Sequence, residues 1–196
     1  AAGFGDVDDA FNEAEQVVSI EVEQHRGALA SIEGRAVLAA WDDVDRRLTV
    51  WTSSQAPHAV RAHLAAYLGL SPDEVRVVAP DVGGGFGPKA AVYAEEYVIA
   101  TLALELRQPV KWIERRREHF VATNQQRGQS GLVEAAVDGA GRILGLRARL
   151  THDCGAYVPY GIVVPMTTLR LLSGPYAIAA LDATVDVVFT NATPTG

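Results

Sequence analysis

The apolar pattern of this chain changes period twice, and that switch limits the folds open to it. "GRAVLAAW" (34–41) and "RLTVWT" (47–52), separated by the turn-prone "DDVDR", read as a β-hairpin. The same plan returns in "GLVEAAV" (131–137), "DGAG" and "RILGLRARL" (142–150), too briefly to count as a repeat. Between the hairpins, helix and strand alternate. "APHAVRAHLAAYLGL" (56–70) sets Val60, Leu64, Tyr67 and Leu68 on one helical face and ends at Gly69, where a left-handed residue fits. "SPDE" (71–74) has the pattern of a capping box with no helical run behind it, so it reads as a turn into the strand "VRVVA" (75–79). A second helix follows over 88–107. Pro88 suits its first position, and its apolar circumference predicts a largely buried helix. "PVKWIE" (109–114) is the next strand and "RREHFVAT" (116–123) a short helix.

Outside this region, "VVSIEVEQ" (17–24) alternates Val18, Ile20 and Val22 with polar residues, the pattern of a half-buried strand. The last third is rich in strands and closes on "DATVDVVFTN" (182–191). No linker or low-complexity stretch divides the chain. The sequence thus predicts an α+β fold, with mixed β-sheets and two main helices packed on the sheet, in a single domain over residues 1–196.

Charge and composition exclude several classes. A net charge of −7 does not suit a nucleic-acid partner, and "ERRRE" (114–118) carries its own acids, as a solvated helix start would. The single cysteine, Cys154, rules out an internal disulfide framework and suits a reducing cytoplasm. No apolar run reaches the length of a membrane span, and no secretory signal is present. The chain opens without methionine and stops on turn-forming "TNATPTG", so it reads as a piece of a longer polypeptide.

The richest clue is "DVGGGFGPK" (81–89), with four glycines in the five positions 83–87. Glycine costs conformational entropy on folding, so such a stretch needs a tight turn, a close approach, or exposed N–H groups that grip an acceptor. A phosphate loop is excluded, because Pro88 precedes Lys89 and Ala90 follows it. "GFGPKA" (85–90) formally fits a dinucleotide fingerprint, with Glu114 as its acidic residue, yet five residues separate it from its strand. A close-packed loop with no ligand is the third reading. On position alone Gln55 reads as a helix-entry residue bonded to backbone, and Phe86 as plain core. His152 and Cys154, two apart on a strand, make no metal set by themselves. His58 and His63, five apart, do not share a helical face.

"GGGFGPK" preceded by "TSSQAPH" (52–58) resembles the large, molybdenum-binding subunit of the xanthine dehydrogenase, aldehyde oxidase and aerobic carbon monoxide dehydrogenase family. "GDVDDAF", "VKWIERRREHFVATNQQR", "DCGAY" and "TNATPTG" resemble it too, in order along the whole chain. The resemblance implies that Gly84, Gly85, Phe86 and Gly87 lie over the metal and dithiolene end of a molybdopterin cofactor, and that Gln55 approaches an oxo ligand. It further implies an oxidoreductase with iron–sulfur and flavin partners and a small-molecule substrate. The pterin's nucleotide form, the cytosine dinucleotide among the choices, stays open. Purine-oxidising members have a glutamate where this chain has Ala90, which counts against xanthine. The family's pocket arginine and general base follow "PTG", so no catalytic or metal-ligating residue is assigned here. The piece alone is then expected to lack both cofactor and activity. A nicotinamide-dependent dehydrogenase domain and a structural or assembly domain remain as alternatives.

Overall fold

The computed structural model describes residues 1–158 and 162–196. Its elements are, in order, β1 (Ala2–Phe4), α1 (Val7–Glu13), β2 (Gln16–Gln24), β3 (Gly27–Ala28), β4 (Ala36–Asp42) and β5 (Arg47–Thr52). Then come α2 (Pro57–Leu68), β6 (Val75–Val78), α3 (Ala94–Leu106), β7 (Val110–Ile113) and α4 (Arg116–Ala122). The chain closes with β8 (Gln125–Gln126), β9 (Gln129–Val137), β10 (Ile143–Asp153), α5 (Val163–Leu171) and β11 (Ala180–Val188). The fold is α+β, as the sequence predicts. Among the described residues, no helix is long and apolar enough to cross a membrane.

These elements gather into two compact units, one of Leu29–Thr123 and one of Ala1–Ala28 with Asn124–Gly196. The boundaries, Ala28/Leu29 and Thr123/Asn124, fall next in sequence to β3 and β8, which pair over two residues.

In the Leu29–Thr123 unit the sheet order is β6-β5-β4-β7. The β4–β5 hairpin is antiparallel, β7 pairs antiparallel with β4, and β6 pairs parallel with β5. Alternation along β4 and β5 buries Val37, Ala39, Leu48 and Val50 against α2 and α3, which add Val60, Leu64, Ile99, Ala100 and Ala103. Gly69 ends α2 with φ 68°, the left-handed cap expected of it. Three expectations fail on α2 and α3. Tyr67 is exposed and meets the Tyr97 ring edge-on, with centroids 4.9 Å apart. The second helix begins at Ala94, while Pro88–Ala90 forms only one 3₁₀ turn. The cause is local: Ala91 is extended, and Glu96 Oε2 accepts the Tyr93 N–H at 3.0 Å, which fixes the helix start there. Nor is α3 largely buried, since Val98, Leu102 and Leu106 all face outward.

The other unit has the sheet order β1-β11-β10-β9-β2, with β10 and β11 parallel and the remaining pairs antiparallel. Leu146, Ala148, Leu150, Leu169, Leu181 and Ala183 form its core. The β9–β10 hairpin matches the sequence reading. The first long strand, β2, does not bury the face expected of it: it is an edge strand, with Val18 46% and Ile20 58% exposed. Both α1 and α5 escape the sequence reading. Asp6 caps α1 by accepting the Asp9 N–H at 3.0 Å, a signal present in the sequence as an aspartate ahead of two more acids.

The Leu29–Thr123 core sets a stability test. Leu64 is fully buried, so Leu64→Ala is expected to destabilise this unit by about 2–5 kcal/mol. Leu106→Ala, on the open face of α3, is expected to change stability by no more than about 0.5 kcal/mol. Denaturant unfolding of both variants checks the contrast.

Candidate functional site

Two strands of the Leu29–Thr123 unit deliver the site. β5 and β6 run side by side in the same direction, in the register Leu48↔Val75 to Trp51↔Val78, with α2 as the crossover between them. What leaves β5 and what leaves β6 therefore emerges at one end of the sheet. Ser53, Ser54 and Gln55 follow β5, and the glycine loop follows β6.

Gln55 is exposed, and its Oε1 accepts the Gly87 N–H at 3.0 Å. Its own backbone N–H donates to the Lys89 carbonyl at 2.8 Å, and Ser54 Oγ donates to the same carbonyl at 3.2 Å. A Cβ on Gly85 would overlap the Gln55 side chain, so glycine is the residue that permits this approach. Gly84 and Gly87 have φ of 94° and 105°, and Phe86 sits between them at 53°. Positive φ is unusual for a bulky residue. The Phe86 ring folds back over Gly84, where a Cβ would stand 2.8 Å from its Cε2, and it is 67% exposed. Phe86 is not core.

The loop's donors are unevenly used. Gly83 donates to Glu33, Gly84 to the Val82 carbonyl and Gly87 to Gln55. Among the described residues, no acceptor meets the N–H of Gly85, the N–H of Phe86 or the side-chain NH₂ of Gln55. Neutral donors thus collect on one exposed turn and its neighbouring glutamine.

Sequence reasoning missed the residues that hold this turn. Glu33 and Gly83 clasp each other through Glu33 N–H to Gly83 O at 3.1 Å and Gly83 N–H to Glu33 Oε2 at 2.9 Å. The Lys89 ammonium, wholly buried, donates to the same Oε2 at 2.6 Å. Burial alone would raise the Glu33 pKa, but the bonds from Lys89 and Gly83 outweigh it and hold the carboxyl below its ordinary value. The segment carrying Glu33 is itself pinned. Arg116 donates to the carbonyls of Ser31 and Ile32, and His119 Nε2 lies 2.8 Å from the Leu29 carbonyl. Buried Arg35 donates to Glu114 and Glu95, and its guanidinium lies 3.9 Å from the centre of the Tyr93 ring. The only signal in the sequence was Lys89 closing the glycine motif.

The dinucleotide reading does not survive this geometry. β7, the strand after α3, lies at the far edge of the sheet and antiparallel to β4, not beside β6. Glu114 is buried and accepts from the Arg35 backbone N–H at 2.8 Å and from Arg35 Nε at 2.9 Å. In the other unit, His152 is buried with Nε2 3.0 Å from Thr195 Oγ1. Cys154 is buried beside it, and burial pushes its thiol pKa up, the opposite of an activated nucleophile.

The family model described as Molybdopterin cofactor-binding domain matches residues 1–196. The chain belongs to the molybdopterin cofactor-binding domain family of molybdenum hydroxylase large subunits. It is 38% identical to the nicotine 6-hydroxylase large subunit of Paenarthrobacter nicotinovorans, covering 100% of this chain and 24% of that protein. It is 35% identical to the carbon monoxide dehydrogenase large chain of Hydrogenophaga pseudoflava, covering 99% and 25%. Among solved structures, quinoline 2-oxidoreductase from Pseudomonas putida 86 superposes with a TM-score of 0.90 at 30% identity, covering 100% of this chain and 25% of that one. The chain thus spans about a quarter of the length of these relatives.

The lowered Glu33 pKa fixes a pH dependence. A depressed carboxylate contributes stability above its unfolded pKa and loses it as pH falls through the folded value. The Gly83 clasp is therefore expected to be intact at neutral pH and to loosen below the ordinary glutamate pKa of about 4.3. The Gly83 amide shift, followed by NMR from pH 7 downward, should titrate in that acid range and stay flat above it.

Proposed function

We propose that Gln55 and the loop of Gly84, Gly85, Phe86 and Gly87 hold the metal end of a molybdopterin cofactor. On this reading, residues 1–196 act together as one part of the molybdopterin-binding region of a larger subunit. The observation that carries it is the Gln55–Gly87 bond, which fixes the glutamine side chain while its NH₂ and the N–H groups of Gly85 and Phe86 stay free to donate. When bound, the cofactor supplies a redox-active molybdenum with oxo and sulfur acceptors, the kind of group that neutral donors suit. Gln55 donates without competing for the metal as a carboxylate would. Glu33, the nearby acid, is engaged by Lys89 and Gly83. Phe86, exposed beside the donors, offers an apolar wall that excludes water once covered. The helix α3 starts at Ala94, so its dipole does not stand directly behind the loop.

The intact enzyme, on this reading, inserts oxygen from water into a C–H bond of a small molecule, or oxidises carbon monoxide. Electrons pass to iron–sulfur and flavin partners in a cytoplasmic complex. A relative named 6-hydroxypseudooxynicotine dehydrogenase complex subunit gamma supports assembly with other subunits. The nucleotide form of the pterin is left open, with the cytosine dinucleotide as one choice. The general base comes from another part of the subunit, so chain 1–196 alone is expected to be inactive.

The test uses full-length protein. Gln55→Ala is expected to lower cofactor content or turnover about 10- to 100-fold, the usual cost of losing an outer ligand-positioning group. Metal analysis and turnover with an artificial electron acceptor read the effect. Wild-type metal content and rate in Gln55→Ala would overturn the assignment.

A further inference from the structure

Lys89 is an unusual residue for its position. Lysine is almost never fully buried unless paired, and Lys89 is 2% exposed. Its two ends touch the two halves of the site. The ammonium reaches Glu33 Oε2, the same oxygen that accepts the Gly83 N–H where the loop begins. The carbonyl accepts the Gln55 backbone N–H and the Ser54 hydroxyl, at the exit of β5. One residue therefore connects the loop entry, through Glu33, with the glutamine. Space around the loop is tight as well: a Cβ on Gly83 would stand 2.6 Å from Glu33 Cβ.

We propose that Lys89 and Glu33 are positioning residues, a half-buried charge clamp that sets the glycine loop and the Gln55 amide in register with each other. Their service to a cofactor rests on the reading above, whereas the clamp itself does not. The two partners differ in a way that can be used. Glu33 is partly exposed, with 39% of its side chain open, while the Lys89 side chain is closed off from water. Removing Glu33 strands a buried ammonium, a strongly destabilising change. Removing Lys89 leaves a carboxylate that water can reach. Stability and loop position can therefore be separated.

The experiment compares full-length wild type with Glu33→Gln, Glu33→Ala, Lys89→Met and the double variant Glu33→Ala/Lys89→Met. Hydrogen exchange of the peptide covering residues 81–91 reads the loop, melting temperature reads the fold, and the electron paramagnetic resonance spectrum of the molybdenum centre reads the site. Loop exchange is expected to rise about ten-fold in Glu33→Ala and Lys89→Met, as for loss of a charged hydrogen bond. Glu33→Gln, which keeps an acceptor for Gly83, should lie between these and wild type. In the double variant the melting temperature should recover relative to Glu33→Ala while the loop stays fast. Wild-type loop exchange in Lys89→Met and Glu33→Ala, with only the melting temperature lowered, would overturn the clamp. Where Glu33→Ala does not fold, Lys89→Met and Glu33→Gln carry the same comparison. Faster loop exchange with an unchanged spectrum and metal content would uphold the clamp and count against the cofactor reading instead.

Discussion

The parallel pairing of β5 with β6 is the constraint from which the site follows. Side-by-side strands with a helical crossover must release the chain at the same sheet end, so Gln55 and the glycine loop meet although α2 and β6 lie between them in sequence. An antiparallel β6 would have put the glycines at the opposite end of β5. The register is kept by the buried face shared with α2 and α3, since a one-residue slip of β5 would turn Leu48 and Val50 out of the core.

Around that geometry the chain spends its buried polar groups on the segment that carries Glu33. Arg35 and Glu114 are both nearly closed to water and bond to each other, while Glu95 accepts from both terminal guanidinium nitrogens and His119 Nδ1 lies 2.9 Å from Glu114 Oε2. A buried pair of this kind adds little net stability over an apolar replacement, because desolvation offsets the attraction. Its geometry is narrow, however, and that is the property a support for a loop needs. α4 joins the same support through Arg116 and His119, so "ERRREHF" is not merely a solvated face.

Much of the fold was legible because its signals are local. Both hairpins had turn residues between alternating strands, and Gly69 and "SPDE" marked the ends of α2 and the approach to β6. The start of α3 was not legible, since Pro88 is a good first helical residue and only the extended Ala91 and the Glu96–Tyr93 bond move the start to Ala94. The exposed face of β2 was hidden for another reason: alternation reports which residues share a face, and not whether anything in the chain covers it. Within the site, Gln55 and the glycines stood out by motif. Glu33 lies 50 residues from Gly83 and 56 from Lys89, and nothing in a lone glutamate before Gly34 announces either contact.

The central claim is that the free donors of Gln55, Gly85 and Phe86 face the cofactor. A crystal structure of the full-length enzyme with its cofactor bound tests it most directly. The account predicts that the Gln55 side-chain NH₂ and at least one of the Gly85 and Phe86 N–H groups lie within hydrogen-bond distance of an acceptor on the bound cofactor. A cofactor seated elsewhere, with the Gln55 amide turned to water, would contradict it.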